Sequence, residues 1–324
     1  MESHMEYIFD FLLFSGKTLS LFIFLFLFVV LLKNSKTDQK TKLNQIEIIN
    51  INREHAAVKK HMLSNILEKS PNKKRRIKET KETFEKNIFI CDFFGDIGAT
   101  SVDTLRDEIT AILSVVNNND EIIIVLESAG GTVQGYGLAA SQLQRIIDAK
   151  IKLTVVVDKI AASGGYLMAC VADKIVAAPF AIIGSIGVVA QIPNFNKVLK
   201  RNNIDYEQIT AGKYKRTLTL FGENTEEGRS KFQADIDRTH KIFQEFVLKK
   251  RPSLDLDKVA TGEFWQAITA KELNLVDELA TSDEVISRLI NSANLFKVKK
   301  KVKRSIYKNF FKKAGNIFDN LKMS

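Results

Sequence analysis

A serine and a lysine 52 residues apart carry the residue types that acyl-transfer chemistry requires. Ser163 lies in the run Ala-Ala-Ser-Gly-Gly, and Lys215 lies in the run Ala-Gly-Lys-Tyr-Lys-Arg. A serine hydroxyl is a weak nucleophile at neutral pH, so it needs a neighbouring base to take its proton. An unprotonated lysine amine is such a base. The two residues therefore predict a serine nucleophile that is activated by a lysine.

Lys215 can act as a base only if its amine is unprotonated near neutral pH. An exposed lysine has a pKa of ~10.4, and burial can lower that pKa by up to ~3–5 units. The apolar-rich residues 217–221 are expected to pack over the Lys215 amine, and no acidic residue lies between Gln208 and Gly222. Lys213 is a competing base, because an extended segment would place both lysines on one face. Spacing alone does not choose between them.

Two glycine pairs offer backbone donors for the oxyanion that forms when a carbonyl is attacked. Gly164 and Gly165 follow Ser163 directly, and Gly130 and Gly131 follow an apolar run that is typical of a strand. Glycine lets a substrate backbone approach closely, and a free N–H can then face the developing negative charge. We expect one donor from each pair.

Four sequence blocks, in this order, resemble the signal peptide peptidase A family of membrane-bound serine proteases, peptidase family S49. The resemblance runs from about residue 88 to residue 289, and the blocks are residues 127–133, 161–166, 183–188 and 211–216. Four ordered motifs over this length are far more specific than any one of them. One departure is Ala129, which stands where the family often has proline, so the turn before the first glycine pair is less constrained.

The resemblance assigns roles to individual residues. It implies that Ser163 is the nucleophile and that Lys215, not the other lysine of its block, is the general base. It also implies that Gly131 and Gly164 donate the oxyanion-hole N–H groups, and that Ser185 orients the lysine amine. The implied substrates are remnant signal peptides or membrane-associated polypeptides. A homo-oligomeric ring whose subunits share sites is implied as well, and no cofactor is needed.

Catalysis by histidine or by a metal ion is poorly supported. A Ser-His-Asp triad requires a histidine, and the only four are His4, His55, His61 and His240. The first lies before the apolar N-terminal segment and the next two in a charged stretch, while His240 fits a half-buried position on an amphipathic helix. The sequence has no His-Glu-x-x-His run and no clustered cysteine pair. Cys91 and Cys170 are too few for a disulfide framework, and Cys170 is expected to be a small core residue.

Charge divides the chain, whose net charge is +10 over 324 residues. Residues 33–86 carry +8 and residues 291–324 carry +9, whereas residues 87–290 carry −5. We predict an anchor over residues 1–32, a basic and partly helical linker over 33–86, a peptidase domain over 87–290 and a basic tail over 291–324. The tail mixes basic and aromatic residues, which suits an anionic lipid surface or solvent. No nucleic-acid-binding module accompanies it.

The N-terminal segment predicts one membrane-spanning helix near residues 8–32, about the ~20 residues that a bilayer requires. No small-x-small cleavage pattern follows Leu32, so a retained anchor is preferred to a secretory signal. Four lysines follow the span within residues 33–42, which by the positive-inside rule places the catalytic domain in the cytoplasm. The resemblance instead implies the periplasmic side of the cell inner membrane. The side stays open.

Apolar runs and helical periodicity alternate between residues 88 and 250, which predicts an α/β domain of βαβ units. The predicted strands are residues 88–93, 122–126, 153–157, 174–177 and 187–191. The predicted helices are residues 102–117, 133–149, 162–171 and 225–249. Residues 181–192 are expected to be buried core. The resemblance implies a ClpP/crotonase-like domain of repeated β-β-α units, with Ser163 at a helix start.

Two other functions remain as alternatives to a peptidase. A crotonase-like acyl-CoA hydratase or hydrolase would also use paired glycines, for a thioester oxyanion. The glycine blocks lack the catalytic carboxylate pair of that chemistry, and Lys215 is present. A non-catalytic membrane scaffold would leave Ser163 and Lys215 as structural residues.

Overall fold

The computed structural model describes residues 2–35, 46–67 and 84–301, which fall into two units. The first unit, residues 1–46 and 302–324, contains the helix α1, Glu2–Ser35. Large apolar side chains of α1, such as Phe22 and Phe24, are mostly exposed. Within the ranges above, no helix combines the length and the apolarity that a membrane crossing demands. The span near residues 8–32 therefore stays a prediction.

The second unit, residues 47–301, holds the α/β fold. Its strands are β1 Ile46–Asn50, β2 Asn87–Gly95, β3 Glu121–Ser128, β4 Lys152–Val157, β5 Ile160–Ala162, β6 Lys174–Ala177, β7 Ile182–Gly184, β8 Phe264–Gln266, β9 Glu278–Leu279 and β10 Asn294–Lys300. Its helices are α2 Ile51–Leu67, α3 Val102–Leu113, α4 Val133–Asp148, α5 Gly164–Ala169, α6 Asn196–Arg201, α7 Glu226–Lys250, α8 Leu256–Val259, α9 Ala267–Glu272 and α10 Ser282–Leu289.

A sheet in the order β1-β10-β2-β3-β4-β6-β9 forms the centre of this unit, and it is parallel from β10 to β9. Its middle strands are continuous aliphatic runs that are buried on both faces. Ile122, Ile123 and Ile124 of β3 are at most 1% exposed. Parallel strands buried on both faces are characteristic of α/β proteins. The predicted α/β class is confirmed.

A smaller branch of the sheet leaves the main path at β3. The short strand β5 pairs in parallel with β3 and β7, and β8 pairs with β7 in antiparallel fashion. Each main strand β4 and β6 is followed at once by a branch strand, β5 and β7 respectively. The carboxyl ends of β5 and β7 therefore lie side by side.

The strand predicted at residues 187–191 is wrong. The strand in this region is β7, and residues 187–191 form neither helix nor strand. Only the first half of the apolar run 181–192 is core, because Ile183 and Ile186 are fully buried whereas Val189 is 80% exposed. The positive φ of 53° at Ser185 ends the extended backbone, and hydrophobicity alone does not reveal such a residue.

The compact unit is longer at both ends than the predicted domain of residues 87–290. Residues 46–67, which were expected to be linker, form β1 and α2, and the Asn52 side chain donates hydrogen bonds to the carbonyls of Ile290 and Ala293. β10 lies in the predicted tail, where it pairs with β2. The predicted helices agree with α3, α4, α5 and α7 to within a few residues at each end. Both cysteines are free and buried.

Candidate active site

Ser163 occupies the tight turn between β5 and α5. Its backbone angles are φ 51° and ψ −118°, and its N–H donates a 2.8 Å hydrogen bond to the Gly184 carbonyl. A non-glycine residue in this region is strained by ~1–3 kcal/mol, and such strain is frequent at functional sites. The turn presents a half-buried side chain at the carboxyl end of a buried strand.

The two glycine pairs meet at Ser163. Gly130 has a φ of 90°, and a Cβ placed on it would lie 2.7 Å from Gly164 N and 2.8 Å from Ser163 Cβ. The turn that contains Gly131 is therefore in contact with the nucleophile turn. Neither Gly131 N–H nor Gly164 N–H donates a hydrogen bond to any residue that the structure describes. Unpaired N–H groups on the turns around a nucleophile are candidate donors for an oxyanion.

Ser185 lies beside Ser163. β5 and β7 pair in register with Ala162 opposite Gly184, so the two serines are the next residues of neighbouring strands, which lie ~4.8 Å apart. Ser185 also has a positive φ, 53°, and its N–H donates to the Glu263 carbonyl. The predicted neighbourhood of these serines is thus present, while the orienting role of Ser185 stays a prediction.

Within the described residues of a single chain, no hydrogen bond joins Lys215 to Ser163. Residues 202–225, between α6 and α7, form neither helix nor strand, and Lys215 is exposed. In the ranges that the structure describes, its Nζ makes neither a hydrogen bond nor an ion pair; its backbone N–H donates to Gly212. The expected packing of residues 217–221 over the amine is not found here. The Ser/Lys dyad stays a prediction.

Lys213, the competing lysine, is engaged elsewhere. Its Nζ lies 2.7 Å from a Glu227 carboxylate oxygen and 5.1 Å from the centre of the Tyr214 ring. The hydrogen bond with Glu227 is the main cause that raises the pKa of Lys213 to about 12. A lysine with a raised pKa has a smaller unprotonated fraction near neutral pH, so fewer Lys213 amines are free to accept a proton. The ion pair with Glu227 therefore favours Lys215 as the base.

A buried hydrogen-bond network behind the glycine turn has no counterpart in the sequence expectations. Gly130 N–H donates to Ser128 Oγ at 3.0 Å, Ser128 Oγ lies 2.5 Å from Tyr136 Oη, and Tyr136 Oη donates to the Asp96 carbonyl at 2.7 Å. Burial raises the pKa of Tyr136 above its ordinary value. Ser128 belongs to a recognised block, but a contact with a tyrosine on the following helix leaves no local signal.

His240 is half-buried on α7, as expected, and its Nε2 lies 3.1 Å from the Ile186 carbonyl oxygen. This contact packs α7 against the segment that follows Ser185. Over the ranges given above, no group of three or more histidine, cysteine or acidic side chains is arranged to hold a metal ion.

Comparison with known proteins gives two matching family models. Peptidase family S49 matches residues 145–296, and peptidase family S49 N-terminal matches residues 6–143. "Probable protease SohB" of Haemophilus influenzae is 53% identical over 237 residues, 73% of this chain and 67% of the relative. "Probable protease SohB" of Buchnera aphidicola subsp. Schlechtendalia chinensis is 46% identical over 305 residues, 88% of this chain and 100% of the relative.

Among solved structures, a ClpP1 mutant from Listeria monocytogenes aligns with 61% of this chain and 92% of its own, at a TM-score of 0.38 and 14% identity. A likeness of that size carries no argument, so the ClpP/crotonase-like arrangement stays a prediction. The family that the four sequence blocks resemble is confirmed by the relatives. The chain belongs to peptidase family S49.

Proposed function

We propose that this protein is a membrane-anchored serine endopeptidase in which Ser163 attacks a peptide carbonyl and Lys215 transfers the proton. One observation carries the proposal. Ser163 lies at a strained turn that is in contact with the Gly130–Gly131 turn, and the N–H groups of Gly131 and Gly164 donate to no acceptor within the described residues. Membership in a peptidase family supports peptide bonds as the target.

The reaction would follow from these groups. The Lys215 amine takes the hydroxyl proton as Ser163 Oγ bonds to the carbonyl carbon, and the two N–H groups stabilise the oxyanion. Collapse of the tetrahedral intermediate breaks the C–N bond, and the lysine ammonium gives its proton to the leaving amine. Water then attacks the acyl-enzyme with the same amine as base, which releases the carboxylate and restores the hydroxyl. No cofactor takes part.

The exposed lysine needs a second element to close the site. A neighbouring copy of this chain is proposed to cover residues 202–225 and to bring Lys215 and Ser163 of adjoining subunits together. Exposed apolar side chains of this segment support that arrangement, because Ile204 is 52% exposed and Ile209 is 94% exposed. Large apolar side chains left in solvent in this way are candidates for burial at an interface between proteins.

The membrane anchor is proposed from the apolar sequence of α1, and the side of the membrane that holds Ser163 stays open. The proposed substrates are signal-peptide remnants or membrane-associated polypeptides in extended conformation. The basic residues beyond 301, which lie outside the described ranges, are proposed to contact lipid or solvent.

The test is cleavage of casein by the full chain and by Ser163→Ala, with crotonyl-CoA turnover measured beside it. Alanine adopts the same backbone at residue 163 as serine does, so the variant should keep its melting temperature and lose cleavage. Ser141→Ala is a matched control, because that exposed serine bonds only to the Gly137 carbonyl of its own helix. Cleavage by Ser163→Ala at the wild-type rate, or turnover of the CoA ester in place of casein, would defeat the proposal.

A further inference from the structure

We propose that Ser128 and Tyr136 are positioning residues that fix the Gly130–Gly131 turn, so that Gly131 N–H is held ready for the oxyanion. This inference rests on the proposed serine peptidase function. Neither residue touches a substrate. Both act through the backbone that lies against the nucleophile turn.

Each hydrogen in the network has one destination. A tyrosine hydroxyl has a single hydrogen, and that of Tyr136 goes to the Asp96 carbonyl. The hydrogen between Ser128 Oγ and Tyr136 Oη must therefore come from Ser128. Ser128 Oγ is then free to accept from Gly130 N–H. The chain of bonds runs in one direction from Gly130 to Asp96, and bonds aligned in this way strengthen one another.

The network fixes the peptide on one side of Gly131, and a second bond fixes the other side. Thr132 N–H donates to the Ile97 carbonyl at 2.8 Å. The N–H groups of residues 130 and 132 are thus both engaged, whereas that of Gly131 has no partner among the described residues. Tethering both neighbours leaves the donor between them free and limits its rotation.

Tyr136 also contacts the second donor. A Cβ on Gly164 would overlap the Tyr136 ring, with Tyr136 Cβ 2.7 Å away, and a Cβ on Gly95 would overlap the Tyr136 hydroxyl. Tyr136 is fully buried and Ser128 is nearly so. The Tyr136 side chain therefore supports the backbone at both predicted donors. It fits between Gly95 and Gly164 because neither residue has a side chain.

The sequence gives a reason for this support. Ala129 stands before the glycine pair, and alanine does not restrict φ as proline would. The conformational freedom of the turn must then be limited by contacts with other residues rather than by a proline ring. The hydrogen bonds of Ser128 and Tyr136 supply that contact at Gly130, and the bond from Thr132 N–H to the Ile97 carbonyl supplies it on the other side of Gly131.

Loss of the network should weaken the transition state and leave substrate binding unchanged. Removing one oxyanion donor outright costs ~10²–10³ in kcat, and loosening it should cost less. We expect Tyr136→Phe to lower kcat ~10–100-fold with KM within about twofold, since an interaction made only in the transition state changes kcat alone.

Tyr166→Phe is the matched control. Tyr166 is also fully buried, and its hydroxyl donates to a single backbone carbonyl, that of Leu275. Both variants remove one hydroxyl from a fully buried site, so both should lower the melting temperature, and Tyr136→Phe should lower it more because its hydroxyl makes two hydrogen bonds. Only Tyr136→Phe should lower kcat and weaken a peptide boronate, which forms a tetrahedral adduct with the nucleophile, by the same factor.

Ser128→Ala provides a second route to the same break, and the double variant should lose little more than either single variant because both act through one chain of bonds. If Tyr136→Phe and Ser128→Ala keep the wild-type kcat, or if Tyr166→Phe loses as much kcat as Tyr136→Phe, the inference is overturned. The proposed function is tested separately by Ser163→Ala. An inactive Ser163→Ala beside a fully active Tyr136→Phe refutes the positioning role and leaves the peptidase intact.

Discussion

The two halves of the proposed dyad are built in opposite ways. Ser163 lies at the end of a buried strand, tied to Gly184 and enclosed by the Gly130 turn. Lys215 lies exposed in a segment without helix or strand, and its amine is unpartnered within the ranges described. In the proposed enzyme, a single chain would therefore preorganise the nucleophile and the oxyanion donors, whereas the base would need an additional contact to complete the site.

The physical reason lies in the strain at Ser163. A positive φ at a non-glycine residue persists only when its surroundings hold it in place. Parallel pairing of β5 with β3 and β7 supplies that support. A lysine must instead change from an exposed, charged state to a desolvated, neutral one, which an exposed segment can do when a partner covers it.

The largest expected effect comes from removing the proposed base, Lys215. Lys215→Ala should lower kcat/KM by ~10²–10⁴-fold, the contribution of a general base, with no change in melting temperature because the side chain is exposed. Lys213→Ala is the matched control two residues away and should stay within a few-fold of wild type. Equal losses in both variants would contradict the assignment of the base.

Mixed oligomers test whether the serine and the lysine of one site come from neighbouring subunits. Ser163→Ala and Lys215→Ala should each be inactive, but subunits dissociated, mixed and reassembled should recover a statistical fraction of about one quarter of wild-type activity if neighbours share sites. Activity that stays at zero after verified mixing would show that each chain must close its own dyad.

Gly130→Ala should disrupt the turn that lies against Ser163 and Gly164. Its methyl group would meet Gly164 N, Ala162 O and Ser163 Cβ at 2.7–2.8 Å, at a φ that alanine disfavours. We expect the free energy of unfolding to fall by ~2–4 kcal/mol and cleavage to be lost. Gly137→Ala in α4, where a methyl group has open space, should instead stabilise the protein by ~0.5–1 kcal/mol. A neutral Gly130→Ala would mean that the turn is looser than described.

The buried carboxyl group of Glu108 should make the free energy of unfolding depend on pH independently of catalysis. Burial raises the pKa of Glu108 to about 7, and its Oε2 has no hydrogen-bond partner within the described ranges. Because the folded pKa exceeds the unfolded one, this group stabilises below pH ~4.5, and that contribution is lost as pH rises through about 7, by roughly 3 kcal/mol in total. Glu108→Gln should flatten this dependence in denaturant unfolding between pH 5 and 8. Activity lost toward acid pH then belongs to the base and not to unfolding.

The smallest expected effect concerns the ion pair of the competing lysine. Glu227→Gln removes the main cause of the raised Lys213 pKa, yet the pH profile of kcat/KM should shift by less than ~0.3 units, since that profile reports the pKa of the base and Lys215 is the proposed base. A clear acid shift of the profile would make Lys213 the base.

The sequence was sufficient for the parts of the fold that repeat along the chain. The aliphatic runs of β2, β3, β4 and β6 and the helical patterns of α3, α4 and α7 were recognised because hydrophobic periodicity is local. β10 was missed, since its residues alternate apolar with lysine and its pairing with β2 joins segments some 200 residues apart.

The candidate site divides in the same manner. The blocks identified Ser163, Gly131, Gly164 and Ser185. The structure places the Gly130–Gly131 turn against the Ser163–Gly164 turn and pairs the strands that precede Ser163 and Ser185, while the roles of the four residues stay predictions. The support from Tyr136 and the contact of His240 with Ile186 depend on how α4 and α7 pack, which no local pattern records. The strand predicted at residues 187–191 lies instead at residues 182–184, because the positive φ of Ser185, not hydrophobicity, ends the extended backbone.

The central claim is that Ser163 is the activated nucleophile, and covalent labelling tests it most directly. The full chain is treated with a serine-reactive fluorophosphonate, digested, and mapped by mass spectrometry. We expect one adduct, on Ser163, that disappears in Ser163→Ala and forms much more slowly in Lys215→Ala. An adduct on another serine, or labelling of Ser163→Ala at the wild-type rate, would contradict it.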